Sequence, residues 1–185
     1  MRRGVAYLAG AGLVLLAFGV AFSTPDSDWV EGPMPARVQI GETATVGDLV
    51  GTVHDVRLAR EVEADFTRLT TAGVWFVADF TVAGTTERTG VRVDVLIDGV
   101  QYPATDRSGA VLDGSTVDAG LPRTGSSLVE LPADIADRPG ASTAVLRISP
   151  RLDSRLDGVI EVVVDLTALD VADRVEVEAA RDSLR

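Results

Sequence analysis

The chain has 185 residues, no cysteine and a formal net charge of −11. Without cysteine, disulfides, thiolate metal sites, a cysteine nucleophile and lipid attachment through an N-terminal cysteine are all excluded. Acidity of this size repels nucleic-acid phosphates and anionic lipid headgroups, and it keeps an exported surface soluble. Every Lys/Arg position is Arg, and there is no Asn. Both absences follow from a GC-rich coding sequence, and the second removes any N-glycosylation acceptor.

Arg2 and Arg3 precede a run from Gly4 to Phe22 that holds no charge and nothing more polar than Tyr7. As a helix at about 1.5 Å per residue the run reaches roughly 28 Å, close to the hydrocarbon thickness of a bilayer. Asp26, Asp28 and Glu31 follow it, so the positive-inside rule keeps the N-terminus in the cytoplasm and sends the rest across. Beyond the run, 15 Arg face 28 acidic residues, a charge of −13. Residues 1–23 read as a transmembrane anchor, with a cleaved signal peptide as the competing reading. Ala21-Phe22-Ser23 presents small residues where a signal peptidase reads, with cleavage before Thr24. The run exceeds the usual apolar core of a signal peptide, about 7–15 residues, which favours retention. Either way the remainder is exported, and the expected location is the cell membrane, single-pass, with an extracellular C-terminal domain. Ala6/Gly10 and Ala17/Ala21 would let helices pack closely, but so Ala/Gly-rich a run produces such pairs by composition alone.

Residues 24–35 carry Pro25, Pro33 and Pro35 and no apolar period, which describes an extended stalk. Trp29 and Val30 suit either a membrane–water interface or packing back on the domain. The domain is expected over 36–178, with 179–185 a frayed tail. Its pattern is period two. Arg37–Ile40 alternates before a break at Gly41-Glu42, and Leu49–Leu58 is a longer strand. Over Val74–Val82, Val74, Phe76, Ala78, Phe80 and Val82 share one face, and Trp75, Val77, Asp79 and Thr81 share the other. Val91–Ile97 alternates next, and Asp98-Gly99 before Val100-Gln101-Tyr102 is a strong hairpin signal. Ser127–Leu131, Thr143–Ile148, Val159–Leu166 and Arg174–Glu178 complete the series. Gly114–Arg123 reads as a long loop, with helical turns near Ala133–Ala136 and Leu166–Val171. Seven or more short strands with Gly, Pro and Asp breaks predict an all-β antiparallel sandwich or barrel.

The aromatic strand Val74–Val82, the Asp98-Gly99-Val100-Gln101-Tyr102 turn, Leu128-Val129-Glu130-Leu131-Pro132 and the last apolar strand resemble a family of uncharacterised bacterial extracellular domains. The likeness covers about Val38 to Leu166. It implies an immunoglobulin-like antiparallel β-sandwich, as in secreted antigens of Gram-positive bacteria, behind a lipoprotein signal or a transmembrane anchor. Ala83-Gly84-Thr85-Thr86 replaces an Asn-containing turn common in the family, and the resemblance transfers no catalytic residue.

His54 is the single histidine. Simple alternation places Asp55 on the opposite strand face and leaves His54 beside Val56 and Leu58, a partly buried structural position. No Gly-x-Ser-x-Gly elbow occurs, and one His without Cys makes a poor zinc site. Asp153–Gly158 resembles the start of a calcium loop, but Arg155 stands at its third position and Val164 at its twelfth, where a bidentate Glu is required. Asp113–Asp118 reads as turn chemistry before it reads as a weak cation site. No catalytic, cofactor-binding or metal-ligating residue is therefore assigned, and no cofactor is expected. The best-supported function is a non-catalytic, membrane-anchored binding or protein-interaction module of the cell envelope. The expected partners are the membrane, through the N-terminal helix, and another envelope protein, with no nucleic acid. Trp75, Val77 and Leu96, on nominally outward faces, would form an apolar contact or pack beneath a second layer. The alternatives are a carboxylate-based or metal-assisted extracellular hydrolase and a carrier of a small hydrophobic ligand between the sheets.

Overall fold

In the computed structural model, residues 12–19, 32–135, 138, 141–150 and 157–183 are described. The chain divides into two units, Met1–Gly32 and Pro33–Arg185. Of the first, residues 12–19 are helical, with Leu13, Val14, Leu15, Leu16 and Phe18 exposed. Among the described residues no helix is long and apolar enough to cross a membrane. The rest of the expected span, Trp29 and most of the stalk lie outside the described residues.

In the second unit the period-two segments become strands of two main sheets. One has five strands, in the order β1 (Met34–Val38), β11 (Gly158–Asp165), β10 (Thr143–Ser149), β6 (Arg92–Ile97) and β7 (Val100–Pro103). The other runs β12 (Val171–Val177), β3 (Leu49–Ala64), β4 (Thr67–Gly84), β9 (Arg123–Leu131) and β13 (Arg181–Asp182), with β2 (Thr43–Val46) on the first residues of β3. A two-stranded pair, β5 (Thr89–Gly90) with β8 (Thr116–Val117), completes the set. Pairing is antiparallel except for β1 with β11 and β12 with β3. The fold is a β-sandwich.

The inward faces meet in one apolar core, where Leu49, Val53, Phe76 and Phe80 of one sheet pack with Val95, Ile97, Leu146, Ile148 and Ile160 of the other. Each fully buried side chain of this kind contributes about 1.5–3 kcal/mol. A second cluster lies on the other face of the six-stranded sheet. Trp75, Val77, Leu128, Ala59 and Val62 share that face with Val175 and Val177 of β12, and Ala110 and Val111 pack against them. Trp75 and Val77 are therefore fully buried and form no outer contact surface, and Leu96 is half-buried. The covering segment hydrogen-bonds along β9, Thr105 N donating to Leu128 O (2.8 Å) and Leu112 N to Ser126 O (2.8 Å).

Asp98-Gly99 forms the expected tight hairpin, with φ of +49° and +76°. Other boundaries differ. β3 and β4 run 16 and 18 residues, well past the expected ends at Leu58 and Val74. Gly114–Arg123 is not wholly loop, because Thr116–Val117 pairs with β5 and Arg123 opens β9. The helical turn after β11 is a 3-10 turn of Leu166–Ala168 capped by Asp165, and Val171 already belongs to β12. Of the tail expected to fray, the described residues 179–183 are pinned: Arg181 and Asp182 pair with Thr124 and Arg123, and Ala180 N donates to Ala110 O at 3.1 Å. Ala136 and residues 153–156 of the calcium-like segment lie outside the described residues.

Candidate functional site

The site begins with an irregularity in β3. Val53 pairs with Phe80 and Asp55 with Asp79, so His54 is an extra residue with no partner on β4. Such a bulge interrupts alternation and re-aims the side chains that follow. His54 and Asp55 are both exposed as a result, while Val53 and Val56 stay in the core. This corrects the expectation of a partly buried His54 with Asp55 on the far side.

Two polar chains cross the outer face from this bulge. In the first, His54 Nε2 and Thr81 Oγ1 hydrogen-bond at 2.7 Å, Thr81 and Thr124 hydroxyls at 2.7 Å, and Thr124 and Ser183 hydroxyls at 2.5 Å. In the second, Arg57 pairs with Asp55 (3.2 Å) and with Asp79, whose other oxygen accepts from Ser126 Oγ. Glu176 to Ala179, leaving β12, and Arg181 wall the open side, with Arg181 Nη1 on Glu178 Oε2 at 2.5 Å. The cleft measures about 370 Å³.

His54, Asp79 and Ser126 supply the residue types of a hydrolytic triad in one cleft, but the bonds run elsewhere. A nucleophile must hydrogen-bond its base, and the acid must orient that base. Here Ser126 donates directly to Asp79, Asp79 is held by Arg57, and His54 bonds to Thr81. Among the described residues no hydrogen bond joins Ser126 to His54. The cleft offers guanidinium, carboxylate and hydroxyl groups at fixed positions, which suits recognition of a polar partner.

A second cleft, about 290 Å³, opens on the outer face of the five-stranded sheet and gathers Asp94, Asp106 and Asp113 with Arg92, Gln101 and Ser149. Burial pushes the carboxyls of Asp94 and Asp113 above the usual range, opposed for Asp94 by Arg147 and for Asp113 by the Val93 N–H and Arg92. Asp113 Oδ1 accepts from Val93 N at 2.8 Å and Oδ2 lies 3.7 Å from Arg92. Asp118 is bound by Arg88 at 2.6 Å, a hydrogen bond that lowers its pKa. The two carboxylates of Asp113–Asp118 are thus held by different arginines rather than gathered on one point. Among the described residues no group of three or more His, Asp or Glu is placed to hold a metal.

The two raised carboxyls give a pH dependence of definite sign. A carboxyl that binds its proton more tightly in the folded than in the unfolded chain favours folding as it protonates. The thermal midpoint is expected to rise on acidification from neutral pH toward the ordinary value of 3.8. Below that value the lowered pKa values of Asp118, Asp134 and Asp165 act the other way. Asp113→Asn is expected to flatten the rise in calorimetry between pH 7 and pH 4. An unchanged slope would remove Asp113 from the account.

Arg57, Asp79 and Ser126 do not stand out in the sequence, because Arg57 and Asp79 occupy ordinary outward positions of predicted strands and Ser126 lies just before the predicted Ser127–Leu131 strand. What joins them is the His54 bulge, whose only trace is a polar pair, His54-Asp55, inside an apolar run.

No family model matches the chain, and no curated relative matches it. Solved structures do resemble it. An uncharacterised β-sandwich protein from Clostridium difficile 630 is 14% identical, with a TM-score of 0.50 over 75% of this chain and 99% of that one. The yjhA protein from Bacillus subtilis is 16% identical over 67% and 98%, with a TM-score of 0.46. A secreted protein of Mycobacterium tuberculosis, MPT63, is 14% identical over 71% and 98%, with a TM-score of 0.44. What this chain shares with the first of these is the fold: it is a β-sandwich.

Proposed function

We propose that the protein is a non-catalytic binding module of the cell envelope, an immunoglobulin-like sandwich held outside the membrane by its N-terminal segment. The observation that carries this reading is how the outer-face cleft is wired. Its serine is bonded to the acid, the acid to Arg57 and the histidine to Thr81, while the cleft beside them stays open and lined with charge. The uncharged run from Gly4 to Phe22, with Arg before it and Asp after it, supports anchoring with the domain outside. Deleting residues 1–32, which leaves β1 whole, tests the anchored part of the reading. The truncated chain is expected to leave the membrane fraction and to lose co-purifying envelope partners. Unchanged partners and an unchanged phenotype would sink it.

One observation favours a hydrolase instead: the cleft of Asp94, Asp106 and Asp113, where burial holds two carboxyls toward their neutral form, as a general acid requires. Its partners argue for structure, since each of the two raised carboxyls already faces an arginine. A hydrolytic activity abolished by both Asp94→Asn and Asp113→Asn in the folded protein would establish this second reading over the first.

A further inference from the structure

Asp65 and Phe66 join β3 to β4 with φ of +49° and +62°. Ala64 pairs with Thr67 across them, so the connection is a two-residue type I′ turn. The molecule makes the same kind of turn at Asp98-Gly99, and there it places glycine at the second position, as left-handed backbone favours. Position 66 carries phenylalanine on that backbone, and the side chain is 100% exposed. Local conformation would prefer glycine, and no packing within the fold rewards the ring.

The turn also lies at a particular end of the domain. Met34 N donates to Asp157 O at 2.8 Å and Gly158 packs against Val46, so the chain enters beside the start of β3. The 16 residues of β3 then span on the order of 50 Å, which puts Phe66 at the opposite pole. Asp65 beside the ring makes anionic lipid a poor host. The ring is suited to an apolar protein surface with a cation on its rim.

The chain itself carries one. Arg37, Val38, Gln39, Ile40, Glu42 and Val163 line an open groove of about 670 Å³. Ile40 and Val163 are 45% and 57% exposed. The Arg37 side chain is 75% exposed and meets Glu161 through Nε at 3.2 Å. Asp65 has no ion pair among the described residues. We propose that the Asp65-Phe66 tip of one copy docks in the Val38–Ile40–Val163 groove of a second copy, the ring on Ile40 and Val163 and the carboxylate on Arg37. The contact is head-to-tail, since tip and groove are different surfaces. A single apolar side chain makes it weak in free solution; in one membrane it requires the two domains to lie tip to tail along the surface, where anchoring raises their effective concentration. This interface is separate from the outer-face cleft and does not depend on what that cleft binds.

The absence of cysteine makes the test clean. Full-length chains carrying Thr67→Cys and Val163→Cys singly are co-expressed, and membranes are oxidised. A mixed disulfide dimer is expected, at least about tenfold above the pairing of Thr67→Cys with Ser142→Cys. Adding Phe66→Ser to the Thr67→Cys chain should lose that excess. Phe66→Gly should lose it as well while raising the thermal midpoint by about 2–5 °C, because the backbone strain is relieved. No excess dimer, a dimer indifferent to position 66, or a lower midpoint for Phe66→Gly would each overturn the proposal.

Discussion

Gly73→Ala is expected to destabilise the domain by about 3 kcal/mol or more, at the upper end of what overpacking costs. A Cβ at Gly73 would stand 1.9 Å from Leu131 O and 3.2 Å from Ala133 N. Neither atom belongs to a side chain that can rotate away. Leu131 is also fixed by its pairing with Val74 at the end of β9. The site lies where the register of β3 with β4 shifts, between Ala59/Trp75 and Glu61/Thr70, and Gly73 N donates to Thr71 Oγ1 at 3.0 Å. Gly99→Ala is the matched control: nothing lies within 4 Å of its added Cβ, and only its φ of +76° resists. It should cost about 1 kcal/mol by urea denaturation. Equal losses at the two glycines would mean that the close approach at Gly73 is not real.

Phe76→Ala should cost about 3–5 kcal/mol, read as a lower urea midpoint with an unchanged slope. Phe76 is fully buried at the centre of the six-stranded sheet, paired with Leu58 on one side and Val129 on the other. Its removal leaves a void between strands whose neighbours are already at full packing, so little of the loss can be recovered by collapse. The same change at Phe66, which touches nothing in the fold, should leave stability unchanged or improved. The two phenylalanines thus separate what holds the sandwich together from what faces outward.

Much of the sandwich is legible in the sequence, because alternation such as Val74/Phe76/Ala78/Phe80/Val82 has one low-energy solution when a face must be buried. The Asp98-Gly99 turn is equally plain. The segment from Ala59 to Gly73 is not. Between Arg60 and Thr71 its strand residues include only Val62, Ala64 and Leu69 as apolar side chains, so local burial is small, and the turn that closes them lacks its expected glycine. Pairing with β12 and the second cluster supply the missing burial, and both are long-range. Trp75 and Val77 mislead for the same reason: their cover comes from Ala110 and Val111, some thirty-five residues away in sequence. The site was hidden by one inserted residue. A strand read as perfectly alternating turns His54 inward, whereas the bulge turns it out and brings Arg57 and Asp79 beside it.

On the reading proposed above, the polar chains and the open cleft hold a partner rather than turn one over. The most direct measurement places a photo-crosslinking residue at Glu178, on the wall of the cleft, in the full-length chain in native membranes. A matched chain carries it at Ser142, which is exposed in the other sheet's end loop. One discrete protein adduct is expected from Glu178 and none from Ser142, with loss of the Glu178 adduct when Arg57→Ala and His54→Ala are combined in a chain that still folds. Equal labelling from both positions, or no adduct from either, would contradict it.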